Sequence, residues 1–362
     1  MSEIERLIRP HVARVPAYVT ARSRHRGGVL LDANENAHGP AAPNVPGDLH
    51  RYPDPASAEL RADLAGWLGV PGEWLWFGNG SDEVIDLLIR LFAEPGAPVA
   101  VVEPSYGVYA QRVQAHGATV RGAGLDARFD LDVEATVKAA EGCGLLFLCS
   151  PNNPTGNLLS PDRVLEVTRR TGCLVAVDEA YVEFAGEDAR SKSFVSLATG
   201  TGSEGTSGSW PSERFVVVRT FSKAWGLAGA RVGYLVGAPP VVDAMNRVGL
   251  PYPLSTLSAR AAGTALAHAA RMEDTRNRLV AERQRLVRSL TSLGIRTLPS
   301  DANFLLFFVE RPGEVQSRLA AEHGVIIRDR SAMPGLSGAL RVTVGTEDEN
   351  DGFLNALREV MS

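Results

Sequence analysis

The chain has 362 residues, 44% of them apolar and 22% charged, with a formal net charge of −5. That length exceeds what one hydrophobic core ordinarily serves, and the composition is that of a globular protein. Acidic and basic residues are dispersed, so no footprint for nucleic acid or a membrane surface stands out. Cys143, Cys149 and Cys173 fall in or near apolar segments without metal-ligand spacing and read as reduced core residues. No metal site is expected. The N-terminus lacks an apolar h-region and no apolar run is long enough to cross a bilayer, so the expectation is a soluble, cytoplasmic protein.

Residues 1–50, rich in Pro and Arg, read as an arm. A helix is expected over 56–68 and another over 81–92. Ahead of the second stands Gly78-Asn-Gly-Ser-Asp-Glu83, where Gly80, Ser81 and Asp82 open a helix whose free N–H groups suit an anion. An ordinary capping box would use many of the same residues. A strand over 99–102 leads into Glu103-Pro-Ser-Tyr-Gly-Val-Tyr109, in which Tyr106 offers a flat ring for stacking or is simply a core tyrosine. A strand over 145–149 precedes Ser150-Pro-Asn-Asn-Pro-Thr-Gly156, whose prolines fix the backbone around the Asn153 amide.

After a helix over 158–170, a strand over 173–177 places Asp178 at its mouth. A carboxylate there can hold a pyridinium nitrogen protonated, and Tyr181 can donate to a ring oxygen; a helix-capping Asp is the plainer alternative. Residues 200–212 contain a Gly-x-Gly-x-x-Gly match at Gly200, Gly202 and Gly205. More Gly and Ser follow, then Pro211 and a strand, so the segment reads as a surface loop and not a dinucleotide fingerprint. A strand over 215–218 delivers Lys223 beside Ser222, and Arg231 follows eight positions later beyond a glycine-rich turn. That arrangement suits an amine forming a Schiff base next to a phosphate. The chain then reads as helical over 257–293 with a break, strand 304–309, helix 313–323, strands 325–327 and 340–344, and helix 348–360.

Short β-branched runs between helices point to an α/β protein: a large domain (51–250) with a mostly parallel sheet sandwiched by helices, plus a smaller α+β domain (251–362). The chemistry-bearing residues all stand where strands exit or helices begin, the place where open α/β sheets bind ligands.

With these motifs in view, the sequence resembles the fold-type I pyridoxal-phosphate-dependent aminotransferases, and among them the histidinol-phosphate aminotransferase family. The likeness extends from Leu31-Asp-Ala-Asn-Glu-Asn36 through Arg51-Tyr-Pro-Asp54 and Leu250-Pro-Tyr-Pro-Leu-Ser255 to Leu340-Arg-Val-Thr-Val-Gly-Thr346. It implies that Lys223 carries the cofactor, Asp178 pairs with its ring nitrogen, Asn153 and Tyr181 with its ring oxygen, and Tyr106 stacks on the ring. Ser222, Arg231 and the Gly80-Ser81-Asp82 helix start would hold its phosphate. Tyr52 would reach that phosphate from a partner subunit, implying a homodimer in which the 1–50 arm packs against the small domain and the partner. Arg341 would clamp the substrate's anionic end with Arg328, Tyr18 and Asn34. The implied activity is transamination of L-histidinol phosphate with 2-oxoglutarate. An aromatic-amino-acid aminotransferase, a threonine-phosphate decarboxylase and a non-catalytic cofactor-binding regulator are the alternatives. Ala37, where many relatives have proline, and the long 200–212 segment depart from the family pattern.

Overall fold

The apolar runs pair into a seven-stranded sheet in the computed structural model, which describes residues 3–10, 12–16, 49–186, 189–200 and 212–361. Its strands are β1 (Leu75–Asn79), β2 (Pro98–Glu103), β3 (Thr119–Gly124), β4 (Leu145–Cys149), β5 (Leu174–Asp178), β6 (Phe215–Thr220) and β7 (Val232–Val236), ordered β1-β7-β6-β5-β4-β2-β3. Neighbouring strands are parallel except at β7, which runs against both β1 and β6.

Alternate residues of the central strands feed two different cores. Val175 and Val177 of β5 join one cluster while Leu174 and Ala176 join the other, and β6 divides Phe215 and Val217 from Val216 and Val218. Each large aliphatic side chain so buried contributes about 1.5–3 kcal/mol. Because both faces are apolar, the sequence shows continuous runs and no in–out alternation. The helix Ser81–Phe92 covers one face through Val84, Ile85 and Leu88, and the helix Ala58–Leu68 covers the other through Leu60 and Leu64.

The expected long helical stretch is divided at His268 into Thr256–Ala267 and Ala269–Ser292. Ala262, Leu266 and Met272 pack into the large sheet's core, whereas Leu286 and Leu290 belong to a separate C-terminal core. That second core is built on an antiparallel sheet ordered β8-β10-β9, from β8 (Phe304–Phe308), β9 (Arg328–Asp329) and β10 (Ala339–Thr343). The helices Pro312–His323 and Glu347–Met361 contribute Val315, Leu319, Phe353 and Leu357 to it.

One expected strand is displaced. Residues 325–327 are not a strand; pairing starts at Arg328, opposite Arg341 of β10, and Ile326 is 78% exposed. Gly324 closes the preceding helix in the left-handed conformation (φ 67°), and the chain needs the next three residues to reach the sheet edge. Strands β1, β3 and β7 and the helices Val108–Ala115, Val133–Ala140 and Pro239–Val248 are present in addition to the expected elements. β3 is an edge strand containing Gly122 and Gly124, with one buried residue in its six. Residues 201–211 lie outside the described residues. Among the described residues no helix is long and apolar enough to cross a membrane.

Candidate active site

The parallel strands end along one edge of the large sheet, and the segments leaving them enclose a cavity of about 260 Å³. Tyr106 arrives from β2, Asn153 from β4, Asp178 is the last residue of β5, and Lys223 follows β6 by three residues. Arg328, Arg330 and Arg341 reach the same cavity from the small sheet.

Asp178 is 3% exposed, and both its oxygens are held. Tyr109 donates to Oδ2 at 2.8 Å and the Ala180 N–H to Oδ1 at 3.0 Å. Burial pushes the Asp178 carboxyl up to about 6; the Tyr109 and Ala180 hydrogen bonds hold it back from rising further. The Tyr109 ring is itself clamped, stacked on Phe147 at 4.9 Å with 2° between planes.

Lys223 Nζ lies 5.6 Å from the centre of the Tyr181 ring. Burial, and then the Arg341 charge, lower its pKa from the ordinary lysine value. Before it, the Thr220 hydroxyl donates to Ser222 Oγ at 2.9 Å and accepts the Ser222 N–H at 3.1 Å, fixing the serine.

The start of the helix Ser81–Phe92 has no side-chain cap, since its N-cap is Gly80 (φ 77°) and Glu83 instead accepts the N–H of Asn79. Helix N–H groups and dipole therefore face an anion-sized opening beside Arg231. Arg231 occupies the left-handed region (φ 54°) and donates to Asp82 Oδ2 at 3.0 Å, while Tyr106 donates to Asp82 Oδ1 at 3.2 Å. The Asp82 carboxylate thus orients a cation and a ring; what this position offers an anion is its backbone N–H. The helix start reaches β7 because Gly233 has no side chain, a Cβ there falling 2.2 Å from Ser81 N.

On the other side, Arg341 Nη1 donates to Asn153 Oδ1, tying the small sheet to the loop after β4. The adjacent Asn152 ties the same loop to the segment after β2, donating to the Pro104 carbonyl at 2.9 Å and accepting from Ser105 at 2.8 Å. Tyr181 is buried edge-on to Phe304, 5.1 Å between ring centres, and burial raises its pKa well above the usual tyrosine value.

The structure therefore brings together Ser81, Asp82, Tyr106, Asn153, Asp178, Tyr181, Ser222, Lys223, Arg231, Arg328 and Arg341, with Gly80 at the cavity's edge. Tyr52 lies elsewhere, 51% exposed and stacked on Tyr252 at 4.6 Å, in a separate surface groove with Arg51, Asp54 and Arg260. Tyr18 and Asn34 lie outside the described residues. Sequence reasoning missed Tyr109, Thr220, Asn152 and Arg330. The signal for Tyr109 was its place in the same motif, three residues after Tyr106, at the start of the helix Val108–Ala115.

The model of the family "Aminotransferase class I and II" matches residues 29–357. Histidinol-phosphate aminotransferase of Parabacteroides distasonis is 36% identical over 99% of this chain and 99% of its own length. The same enzyme from Frankia casuarinae is 41% identical over 92% of this chain and 85% of its own. The crystal structure of histidinol-phosphate aminotransferase from Sinorhizobium meliloti, in complex with pyridoxal-5'-phosphate, superimposes with a TM-score of 0.78 at 28% identity, covering 91% of this chain and 89% of that one. With an amine, a buried carboxylate and an anion cradle converging at the strand ends, and with relatives of this likeness over the whole chain, the protein belongs to the class I and II aminotransferases and, within them, to the histidinol-phosphate aminotransferase family.

Proposed function

We propose that this chain transfers the amino group of L-histidinol phosphate to 2-oxoglutarate, giving imidazole-acetol phosphate and glutamate in histidine biosynthesis, with pyridoxal phosphate as cofactor. The observation that carries this reading is one cavity holding Lys223, the buried Asp178, an uncapped helix start beside Arg231, and three guanidinium groups at the opposite end. The donor set fits the cofactor: a primary amine for its aldehyde, a carboxylate for its ring nitrogen, and N–H groups with a cation for its phosphate. When bound, pyridoxal phosphate supplies the electrophilic carbon that captures the amine and a ring that takes up the electron pair left by the departing proton.

Lys223, with its pKa lowered, is the base that moves a proton at the substrate's amine-bearing carbon. The Asp178 carboxylate keeps the ring nitrogen charged, and Tyr109 keeps that carboxylate ionised and in place. Because Asn153 Oδ1 already accepts from Arg341, its Nδ2 is left to donate to the ring oxygen alongside Tyr181. Ser222, Arg231 and the backbone of Ser81 and Asp82 would hold the cofactor phosphate, and Tyr106 would pack against its ring. Arg341 and Arg328 receive the substrate's anionic end, where a guanidinium fork accommodates phosphate and carboxylate alike.

The active unit in this reading is a homodimer. Tyr52 lies outside its own chain's cavity, stacked on Tyr252, and the chain on either side of Tyr252 exposes the apolar Leu250 (69%) and Leu257 (43%), which suits a second copy that would receive Tyr52. Three free, buried cysteines accord with a reducing, cytoplasmic setting.

The test is a single-turnover absorbance experiment on the cofactor-loaded protein, mixed separately with L-histidinol phosphate and L-phenylalanine. Rapid conversion with histidinol phosphate is expected; faster conversion with phenylalanine would make it an aromatic aminotransferase on the same scaffold. Lys223→Ala should lose both the lysine-bound cofactor absorbance and turnover, and a fully active variant would end the reading.

A further inference from the structure

The edge of the small sheet gathers like charge in a way that packing alone does not explain. Arg328 of β9 is paired in register with Arg341 of β10, so two guanidinium-bearing residues stand directly opposite each other. Cross-strand neighbours lie about 4.5–5.5 Å apart at Cβ, and like charges so placed are destabilising. The pairing continues one step beyond the strand, where the Arg330 N–H donates to the Ala339 carbonyl at 2.9 Å. Side chains two residues apart along an extended segment share a face, so Arg330 joins Arg328 and Arg341 on the side that lines the cavity.

Their charge is offset only in part, by Tyr181 and Asp329 near Arg330. Among the described residues neither Arg328 nor Arg330 makes an ion pair, and Arg330 Nε is buried without a hydrogen-bond partner. The intervening Asp329 accepts the Ser331 N–H at 2.7 Å, within its own turn. The two carboxylates of the cavity are engaged elsewhere, Asp178 by Tyr109 and Asp82 by Arg231. Burial, then the neighbouring Arg328, lowers the pKa of Arg330, a sign that the cluster is unfavourable until an anion enters.

We infer that Arg330 is a specificity-determining residue that gives this end of the cavity a third guanidinium and thereby selects a phosphate monoester over a carboxylate. A carboxylate has two oxygens and one charge, which one guanidinium fork satisfies. A phosphate monoester has three terminal oxygens and nearly two charges at neutral pH. With Arg341 already sharing one nitrogen with Asn153, the third arginine supplies the donors that a dianion uses and a carboxylate leaves idle. This rests on the histidinol-phosphate reading above and names the residue that sharpens it.

The test uses the cofactor-loaded enzyme and the variants Arg330→Gln and Arg330→Lys. Half-reaction rates are measured with L-histidinol phosphate, unphosphorylated L-histidinol and L-glutamate, and inorganic phosphate is titrated as an inhibitor of the glutamate half-reaction. In Arg330→Gln the ratio of kcat/KM for phosphorylated over unphosphorylated donor should fall about tenfold or more, chiefly through KM, and inhibition by inorganic phosphate should weaken by a similar factor. Arg330→Lys should recover part of both, since it restores the charge without the fork. Equal losses for all three donors, or an unchanged phosphate inhibition constant, would overturn the inference. If the wild-type enzyme ignores histidinol phosphate while Arg330→Gln still relieves phosphate inhibition, the substrate reading fails and the anion site stands.

Discussion

Replacing Tyr109 by Phe removes one hydroxyl and leaves the ring on Phe147, so it isolates a single hydrogen bond to the carboxylate proposed to pair with the cofactor's ring nitrogen. The Tyr109 hydroxyl donates to Asp178 Oδ2 at 2.8 Å, with both residues buried. A hydrogen bond to an ionised acceptor contributes about 1.5–3 kcal/mol net. At 1.36 kcal/mol per pH unit, its loss should raise the Asp178 value by roughly one to two units. Wild-type Asp178 stands at about 6, so the variant should titrate near neutrality or above it.

In its proposed role, Asp178 must be a carboxylate in the cofactor-free protein in order to pair with a protonated ring nitrogen. Cofactor affinity should therefore weaken as pH falls through about 6 in the wild type, and from roughly 7–8 in Tyr109→Phe. The assay is a fluorescence titration of dialysed protein with pyridoxal phosphate between pH 5 and 9. Titrations of the cofactor itself are common to both proteins and cancel in the comparison. Superimposed profiles, or an acid limb that moves downward in the variant, would refute the argument that Tyr109 keeps Asp178 ionised.

Two further substitutions probe the same floor. Asp178 is raised from 3.8 to about 6 on folding, so between those values the folded chain holds a proton that the unfolded chain has released. Its contribution is fully present below pH 4 and lost as pH rises through 6, a difference of about 3 kcal/mol. Cofactor-free Asp178→Asn should accordingly resist urea better than the wild type at pH 8 and about equally at pH 4, while binding cofactor poorly; a variant less stable at pH 8 would contradict this. Gly80→Ala puts a Cβ 2.4 Å from Arg231 Nη2 at a φ of 77°. The arginine end can move aside, so the fold should survive with about 1–3 kcal/mol of strain. The cofactor dissociation constant should rise by on the order of tenfold, and an unchanged constant would separate Arg231 from phosphate binding.

Much of this site was legible because its chemistry is carried in short contiguous motifs at the ends of buried strands. Asp178 is the last residue of an all-buried strand, and Lys223 follows another by three residues; in both cases the apolar run itself points to the reactive group. Contacts between distant segments left no such trace. The Asn153–Arg341 bond spans 188 residues, and nothing local to either side chain announces the other. Tyr109 was overshadowed by Tyr106: both belong to one motif, and only burial distinguishes the ring facing the cavity from the ring beneath Asp178. Edge elements such as β3, with its glycines, lack the apolar run that marked the central strands.

The displaced strand shows how far such a local error propagates. A strand over residues 325–327 gives Val325 and Ile327 a shared inward face and leaves the arginines as a trailing loop. The observed register instead sets Arg328 against Arg341, and alternation then carries Arg330 to the same side. Three residues of slippage separate a surface loop from a cluster of three cations lining the substrate cavity. Residue types alone, Arg-Asp-Arg, are compatible with an alternating, self-neutralised surface; the observed pairing sets Arg328 against Arg341, and Asp329 offsets Arg330 only in part. If Arg330 sets the preference for phosphate as inferred above, that discrimination resides in strand register, a long-range property, whereas the residues proposed for amine transfer stand in motifs that the sequence displays outright.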